Sequence, residues 1–407
     1  MTPQVQETLL SFVSLLLATL LSGMLVAWLW ILTRLAKGQS LLPDSPFVRF
    51  RPAQWGIGTV LAVGILYFCS GMFIADVMRP LFGVDIRSAT APAKDGLEAP
   101  GSGAPAEKTQ AAGDIAPAVE VKPPAKAKDA ASAPKEDAEP SPNPLGLILW
   151  NSLHNLLFLA LLPWVFRKAS GAELTALGLS RMDLGRQVQL GLVAGLAATP
   201  LIYAIQFAAL TIYKFEAHPV EKMLAQQFDP ATALLAFLSA VVLAPAAEEV
   251  LFRGVLQGSF AGALIWLQAR TARSSTPMGA ADVASTSADF PRSTPSTTEP
   301  EPPKAGLNPV DWTAVMMTSL LFAAVHGPQW PAPIALFAFA IILGTVYQKT
   351  GSLIAAITIH GVFNMCSTLM LLERQLLLAS LTTDDGAASA PVSAAVGFAR
   401  WIGRILI

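Results

Sequence analysis

The chain has 407 residues, of which 53% are hydrophobic and only 14% charged, with a formal net charge of −1 and a mean hydropathy of +0.52. An ordinary soluble domain carries about a quarter charged residues, and sixteen of the charges here lie between Arg87 and Asn143, so the remainder is more apolar still. This composition excludes an ordinary soluble protein, offers no basic patch to nucleic acid, and predicts an all-α, polytopic membrane helix bundle.

The first apolar segment runs from Leu9 to Leu32 and is long enough to cross a bilayer. Met1 to Glu7 carry no Lys or Arg, and no small-residue cleavage pattern ends the run, so it reads as a permanent helix and not a secretory signal. Arg34, Lys37, Arg49 and Arg51 follow, which predicts a cytoplasmic loop and an external N-terminus. A second segment spans Trp55 to Ile74, with Asp76 and Arg79 at its interfacial end. Ser88 to Pro142 is rich in Ala, Pro, Lys, Glu and Asp and has no aromatic residue, so it reads as a disordered linker. A third segment, Leu145 to Phe166, ends in Arg167 and Lys168, again a cytoplasmic signal. It contains Asn151, His154 and Asn155. Two readings fit this trio: it lines a polar cavity, or it bonds between helices.

Gly171 to Arg186 is a short polar stretch. A fourth segment, Leu190 to Tyr213, contains Pro200, which membrane helices tolerate. Lys214 to Pro230 is a polar loop in which His218 is solvated. A fifth segment begins near Ala231 and continues to about Gln268; Pro245 lies inside it and predicts a break or kink. Thr271 to Asn308 is a second linker, rich in Ser, Thr and Pro. Three further segments follow at Trp312–Val325, Ala332–Tyr347 and Leu353–Leu371, separated by turns at Pro328, Pro331 and Lys349-Thr350-Gly351. The tail from Ala390 to Ile407 sets Arg400 and Arg404 among Phe398, Trp401, Ile402 and Ile405, the pattern of an interfacial amphipathic helix. The count is about eight transmembrane helices around an internal polar catalytic cavity, with no internal repeat. Cys69 and Cys366 both sit in apolar runs and read as small apolar fillers.

Ionisable groups are costly at bilayer depth and mark function there. Ala244-Pro245-Ala246-Ala247-Glu248-Glu249-Val250-Leu251-Phe252-Arg253-Gly254 places two carboxylates and a guanidinium inside apolar sequence. Glu249 and Arg253 are four apart and share a helix face, whereas Glu248 points about 100° away. Glu248 is therefore assigned to the cavity, and Glu249 to a supporting ion pair with Arg253. Two of the chain's four histidines lie in late apolar segments: His326, four residues after Phe322, and His360, four residues before Asn364.

Glu248, His326, His360 and Asn364 suit hydrolysis if they converge. A carboxylate in apolar surroundings serves as a general base on water, and Asn and His donate hydrogen bonds to an oxyanion. The same types also suit a zinc site with an open position. Non-catalytic polar glue between helices and a transporter pathway stand as rival readings. The missing repeat weighs against the second.

Glu248-Glu249-x-x-x-Arg253, Phe322-x-x-x-His326 and His360-x-x-x-Asn364, in this order on successive membrane helices, resemble the three motifs of the CAAX prenyl protease and bacteriocin-processing family of intramembrane proteases. The resemblance covers about Leu145 to Leu372 and is firmest from Ala231 to Leu372. The linker between the first and second motifs is longer than the family pattern leads one to expect. The resemblance implies an intramembrane endopeptidase, a metalloprotease-like peptide hydrolase, that cleaves near a C-terminus or near the membrane surface. Glu248 matches the essential glutamate, with His326 helping it to activate water. His360 and Asn364 match the oxyanion-stabilising or metal-binding pair. If a metal is used, zinc on Glu248, His326 and His360 is the expected set. The implied partners are a peptide or protein substrate, a lipid-anchored one included, and the lipid bilayer. A non-catalytic membrane scaffold or immunity protein keeping the same residues is the alternative.

On this reading the chain divides into four parts: residues 1–86, two N-terminal transmembrane helices; 87–143, the first linker; 144–375, the protease-like membrane domain interrupted at 271–308; and 376–407, the tail. The expected location is a bacterial cell membrane, crossed several times.

Overall fold

A single apolar run inside lipid must pair its own N–H and C=O groups, and only a helix does so. The computed structural model describes residues 2–43, 46–47, 55–82, 144–213, 230–274 and 308–383. Every regular element among them is helical. They are α1 (Pro3–Ala36), α2 (Ile57–Phe82), α3 (Pro144–Ser170), α4 (Leu184–Ile212), α5 (residues 230–274), α6 (Pro309–Val325), α7 (Ala332–Thr350) and α8 (Leu353–Thr383). Seven stretches are long and apolar enough to cross a membrane, and α6, with 17 residues, is a shorter apolar helix. Phe12, Leu15, Leu21 and Leu25 of α1 and Ile57, Leu61, Ile65 and Phe68 of α2 are exposed. Apolar surface of that extent faces lipid. The protein is an integral, multi-pass membrane protein.

Several boundaries differ from expectation. Helix α2 continues to Phe82 with Pro80 in its last turn, and α8 continues to Thr383, past the expected ends at Leu371 and residue 375. Thr271 to Ser274 form the end of α5, and Asn308 caps α6, so neither belongs to a linker. The first linker (87–143), His218, the rest of the second linker and the tail from Ala390 to Ile407 lie outside the described residues.

The largest correction concerns Pro245. The sequence predicts a break or kink, and the helix passes through with a widened turn. The pieces of α5 are Pro230–Leu238, a π turn Ser239–Leu243, Ala244–Glu249, a π-helical stretch Val250–Gln257, and Gly258–Ser274. Leu243 (φ −72°, ψ −48°) and Ala244 (φ −64°, ψ −50°) keep right-handed helical dihedrals. The proline withholds an N–H and crowds the preceding turn. Widening that turn to π relieves the crowding without ending the helix. Residues Pro230–Thr271 thus form one candidate span and not two crossings.

Between helices in lipid there is little hydrophobic drive, so close backbone approach through small residues holds the bundle. Gly191 and Gly195 of α4 provide it against α8: an added Cβ would meet Thr358 Cβ at 2.5 Å and Val362 Cβ at 2.9 Å. At one end of the bundle Gly178, in the left-handed region at φ +88°, accepts a 3.2 Å hydrogen bond from the Leu353 amide. This ties the α3–α4 connection to the start of α8.

Two of the α3 polar trio bond to other helices, and the third bonds within α3. Asn151 Nδ2 donates to Ser239 Oγ on α5 (3.1 Å), His154 Nε2 donates to the Tyr67 carbonyl on α2 (2.9 Å), and Asn155 Nδ2 donates to Asn151 Oδ1 (3.3 Å). Trp150 Nε1 adds a bond to the Gly71 carbonyl at 2.9 Å. Both cysteines are free thiols.

Candidate active site

The site is built where α5, α6, α7 and α8 meet. Glu249 is fully buried and Arg253 nearly so. One turn apart on α5, they form the expected pair, Arg253 Nη1 to Glu249 Oε1 at 3.1 Å. The guanidinium has two further supports. Its Nη2 donates to the Ala340 carbonyl of α7 (3.4 Å), and its carbon lies 4.6 Å from the centre of the Phe322 ring of α6. A buried ion pair repays its desolvation only when the remaining donors are also satisfied. Here a carbonyl and an aromatic face do that work.

The same Glu249 oxygen takes a second bond that no local pattern marks: His360 Nδ1, from α8, lies 2.7 Å away. A carboxylate oxygen accepts, and this one already accepts from Arg253. Nδ1 therefore carries the proton. That fixes the imidazole's orientation and leaves Nε2 free on the other side of the ring, 3.8 Å from Glu248 Oε2. At that distance the two are in electrostatic contact without a direct hydrogen bond. Glu248 keeps a quarter of its side-chain surface exposed, while Glu249 keeps none. Adjacent carboxylates thus meet different surroundings, and the second Glu249 oxygen is buried without a hydrogen-bond partner among the described residues.

Two aromatic rings hold His360 edge-on, Phe322 at 5.9 Å and Phe339 at 5.4 Å between ring centres. Phe339 belongs to the site although nothing in its apolar run marks it. Phe322 also packs against His326 at 4.8 Å, so one ring lies between the two imidazoles. His326 is the residue that ends α6, and its Nδ1 donates to the Phe322 carbonyl at 2.7 Å. Its Nε2 is thereby left available, as on His360.

Asn364 lies one turn beyond His360 and donates from Nδ2 to the Ala240 carbonyl of α5 at 2.8 Å. The structure therefore brings Glu248, Glu249, Arg253 and His360 into mutual contact, joins His326 to them through Phe322, and holds Asn364 on the α5 backbone.

Among the described residues no group of three His, Cys, Asp or Glu side chains lies close enough to hold a metal.

An all-α membrane bundle with a carboxylate–imidazole centre defines the class. Residues 230–366 match the family described as Rce1-like, type II CAAX prenyl endopeptidase Rce1-like, and this match, over a stretch that carries all three motifs, supports assignment to the CAAX prenyl protease and bacteriocin-processing family. The match supports a CAAX-type intramembrane endopeptidase in general. Searches of curated proteins and of solved structures returned no significant match.

Proposed function

We propose that the protein hydrolyses a peptide bond at the membrane, with Glu248 as the base that activates water. The observation that carries this reading is the contact between Glu248 and His360. Glu248 is the partly exposed carboxylate, and the free Nε2 of His360 faces it at 3.8 Å while Glu249 fixes the ring from behind at 2.7 Å. In the proposed sequence Glu248 takes a proton from water as the oxygen attacks the substrate carbonyl. The C–N bond then breaks, and the proton passes from Glu248 to the leaving nitrogen. His326, with Nδ1 committed to a carbonyl, has Nε2 available to share the water proton.

A C-terminal prenylated peptide is the first substrate class to try, because the matching family is described as a prenyl endopeptidase. A bacterial cell membrane is the proposed location. The decisive measurement uses the purified protein with a farnesylated C-terminal peptide and with membrane-tethered peptides lacking the lipid. Glu248→Gln is expected to lower cleavage by roughly 10²- to 10⁴-fold, the usual contribution of a general base, with an unchanged melting temperature in detergent. Cleavage that survives this substitution overturns the assignment. Chelation with metal analysis tests the metal-free form: retained activity is expected. Loss that zinc restores would instead make Glu248, His326 and His360 ligands.

A further inference from the structure

The π turn before the glutamates creates a specific vacancy in the helix hydrogen bonding. The Ala244 amide donates to the Ser239 carbonyl, five residues back. In an α-helix it would have served Ala240. In a π turn Ala240 would be served by residue 245, and residue 245 is a proline with no N–H. Two separate features thus withhold a backbone donor from the same buried-side carbonyl. Asn364 of α8 supplies one, at 2.8 Å. The neighbouring Val241 carbonyl, whose α-helical donor would also be Pro245, faces Gly361 of α8. A Cβ on Gly361 would sit 2.9 Å from that oxygen, so only glycine lets it approach. On the other side Asn151 of α3 bonds Ser239 Oγ. The widened turn is gripped from both flanks, one helical turn ahead of Glu248 and Glu249.

We propose that Asn364 is a positioning residue that replaces the donor Pro245 withholds, and so sets the rotation of α5 that carries Glu248 and Glu249 to His360. His360 and Asn364, four apart on α8, then clasp α5 on either side of Pro245: His360 at Glu249, Asn364 at Ala240. This assignment rests on the hydrolytic reading of Glu248 for its functional meaning, but its geometry stands apart from it. It is separate from any role for Asn364 at the oxyanion, which would fall to the second N–H of the same amide.

The test is a rescue. Asn364→Ala leaves the Ala240 carbonyl unpaired. Adding Pro245→Ala returns an N–H at the position from which a π turn serves that carbonyl. Asn364→Ala is expected to slow cleavage about tenfold or more, and the double variant to recover most of that loss, as for one interaction restored by another route. Hydrogen–deuterium exchange of the peptide spanning residues 239–252 gives a readout independent of activity. Exchange should quicken in Asn364→Ala and slow again in the double variant, whether or not a substrate has been found. Asn364→Leu, which keeps the size and shape and removes the donor, carries the same cycle if the alanine variant does not fold. Unchanged exchange in the single variant, or a double variant no better than Asn364→Ala in both readouts, overturns the proposal.

Discussion

At the residue scale the central fact is that one Glu249 oxygen serves two donors, the Arg253 guanidinium and the His360 imidazole. Removing its charge leaves Arg253 buried and unpaired, a loss that costs about 3–5 kcal/mol in comparable buried pairs. Glu249→Gln is therefore expected to lower the detergent melting temperature strongly and to weaken cleavage through a misdirected His360. Pairing it with Arg253→Met should return much of the stability without the activity, since a neutral pair of similar volume avoids the stranded charge. Thermal melting of both variants, with cleavage assayed beside it, checks this; equal melting of wild type and Glu249→Gln would contradict it. Glu248, Glu249, Arg253, His326, His360 and Asn364 could be picked out from sequence because each is polar in an apolar run. The bond from Glu249 to His360 could not, since it joins residues 111 positions apart and depends on how α5 and α8 are rotated.

At the element scale, α5 shows why local rules fail at this site. Pro245 alone reads as a break, and the physics behind that reading is sound: a lost N–H and a ring against the preceding turn. What overrides it comes from other helices, namely Asn364, Gly361 and Asn151, which no local window contains. The α4–α8 contact is the second element that positions the site. Gly191→Val and Gly195→Val place methyls where α8 already has Thr358 and Val362, and overpacking of this kind costs about 1–3 kcal/mol. Both variants should melt earlier and cleave more slowly because α8 carries His360. Gly185→Val, on the same helix with nothing near its added Cβ, is the control and should behave like wild type. If all three glycine variants melt alike, close packing at this crossing is not what holds α8.

At the scale of the whole molecule, alternating helix directions sort the charges. The end that contains Arg34, Lys37, Arg167, Lys168, Arg181, Arg186 and Lys349, with Glu173, Asp183 and Asp311 among them, is the one where Leu353 bonds Gly178; the opposite end carries Glu7, Asp76 and Glu373 with only Arg79 and Arg374, where Gln6 bonds the Leu376 carbonyl. The basic end is expected to face the cytoplasm. With Cys69 and Cys366 replaced, a cysteine at Gln4 should react with an impermeant thiol reagent in intact cells, and one at Ser40 only after the membrane is opened; the reverse pattern would invert the topology. The helical architecture was readable from the apolar runs, because their length and composition decide it. One dimension adds a further consequence. Helix α6 starts at a capping box between Asn308 and Asp311 and ends at His326. Its 17 residues rise roughly 25 Å, against a hydrocarbon thickness of about 30 Å. Both polar ends cannot reach water across an undeformed bilayer, so the enzyme must thin the lipid around this helix or leave His326 submerged. Proteoliposomes built from monounsaturated lipids with chains of about 14 to about 22 carbons should therefore show cleavage that falls as the chains lengthen, making membrane thickness itself a regulator of the reaction.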